Sequence, residues 1–191
     1  MNPISHSILN EYGNIHLVLL TCLMTPQKVV ILGISGAGKS HLARKLSKAL
    51  NLPIIHYDTL CWDKNWVEVK EEEVAKKLKE EMKKDKWILE GYILPLAHER
   101  LEQADLILYL DYSGARAMWG GIKRWFKNRG RPLPELAEGC IMKFDMERFK
   151  IMWTRDERKE IEREISGFEK KIVRLRSPRE LNRFLQQKNI I

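Results

Sequence analysis

Cysteine is scarce in this chain, with three in 191 residues. Cys22, Cys61 and Cys140 are widely spaced, make no C-x-x-C pair and cannot all pair with one another. That excludes a disulfide-stapled scaffold and fits the reducing cytoplasm. Long hydrophobic runs are missing as well. The longest near the start, HLVLLTCLM at residues 16 to 24, falls well short of the roughly 20 residues that span a bilayer. No Lys or Arg precedes Lys28, so the basic region of a secretory signal is also lacking. No internal period and no low-complexity segment occurs, which argues against solenoids and disordered tails. Between residues 114 and 131 there is no acidic residue at all.

What is present has the balance of a globular protein: 44% apolar and 31% charged residues, with length for one ordinary domain and a real core. The formal net charge of +8 favours an anionic partner such as a nucleotide, a phosphorylated metabolite, nucleic acid or a membrane surface. Much of that charge also has a plainer reading as Lys and Glu on solvated helices. Met24 begins MTPQKVVILG, which reads as a natural start ahead of a first strand. Residues 1–23 are therefore expected to be an appendage to a single domain over 24–191.

Apolar and β-branched runs predict strands at 28–32 (KVVIL), 52–58 (LPIIHYD), 86–91 (KWILEG), 104–111 (ADLILYLD) and 170–177 (KKIVRLRS). Helical spacing places Leu42, Leu46 and Leu50 on one face, and Val74, Leu78 and Met82 on another within 71–86. Residues 144–165 also read as helix, and Pro178 starts a last one. Strands alternating with helices predict an α/β fold, a parallel sheet of five strands with helices on both faces. Ligands of such sheets sit beyond the strands' carboxyl ends, so the residues there are the candidates.

The first of these ends carries the strongest signal. Gly33, Ile34, Ser35, Gly36, Ala37, Gly38, Lys39 and Ser40 match G-x-x-x-x-G-K-[ST] between a strand and a helix, the pattern of a phosphate-binding loop. Its glycines let backbone N–H groups converge on an anion at a helix N-terminus. Lys39 is suited to neutralise β- and γ-phosphate charge, and the Ser40 hydroxyl to ligate Mg²⁺. His41 bounds the cradle, facing solvent or the adjoining loop. ATP and Mg²⁺ are the cofactors this predicts.

Such a loop also occurs in GTPases, motors and ABC ATPases. About 165 residues beyond the extension leave little room for a motor's extra helical domain. No N-K-x-D stretch and no ABC signature is present. A compact nucleotide core followed by an arginine-rich segment points to a small-molecule kinase, whose arginines close over the phosphoryl group in transfer.

The stretches ILGISGAGKSHLARKLSKALNLPIIHYDTLCWDKNWVEV, KWILEGYI, RLEQADLILYLDY, KRWFKNRGRP, AEGCIMKFD and VRLRSPRELNRFL resemble the DNA topology modulation proteins, a family that is itself adenylate-kinase-like. The resemblance covers nearly everything from residue 27 to 186. It implies an adenylate-kinase-type three-layer fold with ATP as phosphoryl donor and a lid over 114–135. The chain departs from that family's Asp-Gly-Asn-Tyr and following arginine, having Glu90-Gly91-Tyr92-Ile93 and then Pro95. Acceptor contacts at 92 to 95 do not carry over.

Beyond the loop, Asp58 at the end of the second strand can hold Mg²⁺ or accept the acceptor's hydroxyl proton; its bland role is an N-cap or turn. Trp62 and Trp66 line an acceptor pocket or close a core. Glu90 can order the water shell of Mg²⁺, or simply cap a turn. Asp111 ranks lower, as a brace for the next loop. Arg116, Lys123, Arg124, Lys127, Arg129 and Arg131 form a phosphate-gripping lid, with Arg124, Arg129 and Arg131 as its catalytic candidates. The same stretch, with Trp119, Trp125 and Phe126, also suits a nucleic-acid-binding stripe or a packed amphipathic helix. Arg155 and Arg158 offer another phosphate contact or i to i+4 ion pairs. The reaction expected is γ-phosphoryl transfer from ATP to a small acceptor, a nucleoside monophosphate among the options. The alternative is an ATP-binding regulator acting on DNA through its basic region.

Overall fold

A computed structural model describes residues 25–91, 96–128, 139–140, 156–188 and 190. The expected appendage at 1–23, positions 92 to 95, Arg129, Arg131 and Arg155 lie outside the described residues.

Five strands form the main sheet: β1 (Lys28–Gly33), β2 (Ile54–His56), β5 (Trp87–Glu90), β6 (Leu106–Leu110) and β7 (Ile172–Leu175). Their order is β2-β5-β1-β6-β7, and each neighbouring pair is parallel. All five coincide with expected runs. Every residue of β5 and β6, and all of β1 after Lys28, is buried, so successive side chains are covered on both faces. Helices on both sides of a parallel sheet are the reason such strands read as unbroken apolar runs. Asp105 secures the entry to β1: its Oδ2 accepts from the Gln27 and Lys28 amides, each at 2.9 Å.

The second strand is shorter than its apolar run. It stops at His56, and Tyr57 and Asp58 begin a short helix, α2 (Tyr57–Cys61), instead of ending the strand. The Thr59 hydroxyl, 2.6 Å from the His56 carbonyl oxygen, completes this turn and competes with a further strand bond. A two-stranded hairpin follows, β3 (Trp62–Asp63) and β4 (Val67–Glu68), which no sequence signal announced.

Helix α1 (Lys39–Leu50) buries Leu42, Ala43 and Leu46 and packs against β5. It ends at Asn51, whose left-handed backbone (φ 53°) returns its N–H to the Ser47 carbonyl. Helix α3 (Glu71–Met82) buries Val74, Leu78 and Met82, with three glutamates in its first turn complementing the helix dipole. Helix α4 (Ala97–Gln103) was not foreseen. The basic segment after β6 is helix α5 (Gly114–Asn128), and α6 (Asp156–Ile165) is the described part of the helix expected over 144–165. Helix α7 (Pro178–Gln187) starts at Ser177, whose hydroxyl accepts from the Glu180 amide.

Helix α6 is fastened to its surroundings by ion pairs. Arg100 on α4 pairs with Glu164 at 2.8 Å, with 1% and 8% of their side chains exposed. Arg158 reaches Asp111 at 3.2 Å and donates to the Tyr112 carbonyl. Arg174 joins Asp111 to Glu162. Asp111 is thus a brace among arginines at the end of β6. Among the described residues, no helix is long and apolar enough to cross a membrane.

Candidate active site

At the carboxyl edge of the sheet, β1 runs into the glycine loop and the loop into α1. Gly36 and Gly38 have φ of 80° and 95°, left-handed values that side chains resist and that turn the backbone into α1. A Cβ at Gly38 would meet no protein atom within 4 Å, so that side of the turn is open to approach. The Ala37 amide closes the loop internally on the Ile34 carbonyl at 3.1 Å. Gly36 is pressed against α5: a Cβ placed on Gly120 would collide with the Gly36 carbonyl oxygen, and one on Gly36 with the Ala117 carbonyl. The Ala117, Gly120, Gly121 surface of α5 therefore forms a notch that seats the loop's backbone.

Lys39 Nζ donates to the Gly33 carbonyl at 2.8 Å and the Ile34 carbonyl at 3.3 Å. Burial lowers the pKa of this amine, while Glu90, Asp58 and Glu157 pull it up and Arg124 pushes it further down. Asp58, Glu90 and Arg124, from three elements well apart in sequence, thus lie within electrostatic reach of Lys39.

Glu90 ends β5 in register with His56 on β2. Only 6% of its side chain is exposed, and its Oε1 accepts from His56 Nδ1 at 2.6 Å. Burial raises its pKa, but the His56 hydrogen bond, the charges of Lys39 and His56 and the Ser40 hydroxyl outweigh burial and leave it below the ordinary carboxylate value. Ser40 and Glu90 thus juxtapose a hydroxyl and an ionised carboxylate. His56 is the residue that sequence reasoning missed here; its signal, a polar side chain ending a strand one position before a turn, is faint.

Asp58 is exposed on α2 rather than at the strand's end, within electrostatic reach of Lys39. Trp62 and Trp66 meet edge to face with ring centres 5.5 Å apart on the β3–β4 hairpin. Trp66 has a φ of 64°, strained for a bulky residue, and its N–H donates to Cys140 Sγ at 3.3 Å. Burial lowers the pKa of His41, as do the charges of Lys45, Arg44 and, from α5, Lys127. On its other side α5 exposes Trp119 (58%) and Phe126 (66%), with the Lys123 ammonium 5.4 Å from the Trp119 ring centre.

Among the described residues, no group of three or more His, Cys, Asp or Glu could hold a metal alone. A hydroxyl plus one nearby carboxylate suits Mg²⁺, which keeps several waters and takes phosphate oxygens as ligands. The donors at Ser40 and Glu90 fit that ion. An open glycine turn at a helix N-terminus, with a lysine beside it, fits a nucleotide's phosphates.

No protein-family model matches the chain, and no curated protein sequence matches it. Solved structures do. The chain is similar to shikimate kinase from Acinetobacter baumannii in complex with shikimate, with a TM-score of 0.52 and 19% identity, over 86% of this chain and 90% of that one. It is also similar to deoxyadenosine kinase from M. mycoides with bound dATP (TM-score 0.47, 16% identity, 85% and 99% covered). A third is a gluconokinase from Sinorhizobium meliloti 1021 (TM-score 0.47, 14% identity, 85% and 89% covered). The first of these likenesses shows a shared α/β fold.

Proposed function

We propose that the protein is an ATP- and Mg²⁺-dependent phosphotransferase acting on a hydroxyl of a small molecule. The observation carrying this reading is the convergence of Lys39, Ser40 and Glu90 beside an open glycine turn. The amides of the Gly33–Ser40 turn would receive the β- and γ-phosphates, with Lys39 leaving its carbonyl partners to neutralise them and His41 at the rim. Mg²⁺ would be held by Ser40 directly and by Glu90 through water, and would supply charge neutralisation to the β- and γ-phosphates. Arg124, which bears on Lys39 across the site, would stabilise charge developing on the phosphoryl group, with Arg129 and Arg131 as its companions in the lid.

An acceptor hydroxyl is favoured over an acceptor phosphate, as in a nucleoside monophosphate, by what surrounds Asp58. An exposed carboxylate near Lys39 suits removal of a hydroxyl proton, or a second water-mediated hold on the metal, whereas an acceptor phosphate would be repelled by it. Arg100 is buried against Glu164 and so supplies no acceptor contact. Trp62 and Trp66 offer an apolar wall for a ring or chain. The likeness to a shikimate kinase is compatible with such an acceptor.

ADP release measured across a panel of small alcohols and nucleoside monophosphates tests the reading. Stimulation by an alcohol, abolished by Lys39→Ala, is expected. Full acceptor-stimulated release by Lys39→Ala would sink it. The resemblance to DNA topology modulation proteins supports a second reading, an ATP-binding regulator of DNA, and the exposed Trp119, Lys123 and Phe126 of α5 give it a surface. DNA-stimulated ATP consumption that falls steeply with salt, with no alcohol effective, would favour it.

A further inference from the structure

We propose that Glu157 is a positioning residue for the phosphate loop, holding the peptide between Ile34 and Ser35 in the orientation that presents the following amides to nucleotide. The proposal deepens the phosphotransferase reading and rests on it for the nucleotide. Glu157 stands in the first turn of α6, 9% exposed, and its Oε2 accepts from the Ser35 N–H at 2.8 Å across 122 residues of sequence. The other end of the same peptide is also held. The Ile34 carbonyl accepts from the Ala37 amide at 3.1 Å and from Lys39 Nζ at 3.3 Å. A peptide plane pinned at both its N–H and its oxygen cannot rotate without breaking bonds at each end. Without the carboxylate, the Ser35 N–H loses its partner in a partly buried setting, and rotation becomes the route by which it regains one.

That rotation would also carry the Ile34 oxygen away from Lys39 and Ala37. The turn would then lose its internal closure just ahead of Gly36, the residue seated in the α5 notch. Glu157 also contributes to the field on Lys39, pulling its pKa up. Elsewhere on α6, Arg158, Glu162 and Glu164 bind Asp111, Arg174 and Arg100. Loss of Glu157 therefore removes one particular tie and leaves the helix fastened elsewhere. In the sequence, Glu157 shows only as one more charge in TRDER.

Two variants and two readouts test this in the full-length protein. Glu157→Ala removes the acceptor, and Glu157→Gln keeps an oxygen for the Ser35 N–H. Hydrogen exchange should quicken by about tenfold or more in the peptide covering 33–40 of Glu157→Ala, while β6 and β7 exchange as in the wild type. Calorimetry with ATP should show a dissociation constant about tenfold weaker for Glu157→Ala, most of which Glu157→Gln recovers. Unchanged exchange in 33–40 would overturn the proposal, as would equal losses in both variants spread evenly over the whole molecule. The exchange result decides the tie whether or not ATP binds. Wild-type protein with the tie intact and no ATP binding would instead overturn the phosphate reading.

Discussion

Lys39 and His56 illustrate how differently single residues act at the carboxyl edge. On the proposed phosphotransferase reading Lys39 neutralises the donor's phosphates, so Lys39→Ala should lower kcat/KM by about a hundredfold or more, with ATP affinity falling alongside. His56 acts through Glu90. Its Nδ1–H fixes one carboxylate oxygen, and Asn at the same position can offer an N–H from a similar place. His56→Leu should therefore raise the Mg²⁺ concentration needed for half-maximal ATP binding by about tenfold, and His56→Asn should restore much of it. Equal Mg²⁺ requirements in Leu and Asn variants would mean that His56 merely fills space. Lys39 and Ser40 were legible because their motif is local, eight consecutive residues between a strand and a helix. Glu90 and Asp58 were legible as polar residues after apolar runs. His56 and Glu157 were not, since each matters only through a partner 34 or 122 residues away.

Elements show the same division between local and distant causes. The five strands were readable because burial on both faces demands continuous apolar runs bounded by charges and turns. Helix α4 was hidden because it is short, and AHERLEQ buries only Arg100 and Leu101. The β3–β4 hairpin was hidden by a turn built on left-handed Asn65 and Trp66 rather than on glycine. Helix α5 was visible as a basic aromatic stretch, but its working face is the Gly120–Gly121 notch. There, a substitution that usually helps a helix should do harm. Gly→Ala inside a helix ordinarily stabilises by about 1 kcal/mol. Gly120→Ala should destabilise instead, and weaken ATP binding, because the new methyl displaces α5 from Gly36; a raised Tm would refute the contact. At the α4–α6 junction, Arg100→Met leaves Glu164 buried without its cation, at a cost of about 3–5 kcal/mol measurable by urea denaturation. Adding Glu164→Leu to that variant should recover most of the loss.

For the molecule as a whole, acid should act partly through the site. Glu90 has its carboxyl held below the ordinary carboxylate value, so its contribution to stability is in force above that value and is lost as pH falls through the lower, folded one. The Tm gap between wild type and Glu90→Gln should accordingly be widest near neutrality and shrink below about pH 4.5. A gap that widened on acidification would reverse the assignment. Glu164 works the other way: burial raises its carboxyl against the pull of Arg100, so ionising it subtracts stability as pH rises.

The order β2-β5-β1-β6-β7 has a bearing on how the molecule comes apart. The glycine turn springs from β1, flanked by partners on either side, whereas His56 and the approach to Asp58 hang on β2, a three-residue strand at the rim. Rim strands loosen before interior ones. If the turn holds a phosphoryl donor as proposed, mild heat or urea should thus leave a half-competent state that still grips the donor's tail after it has ceased to accommodate the molecule due to receive it.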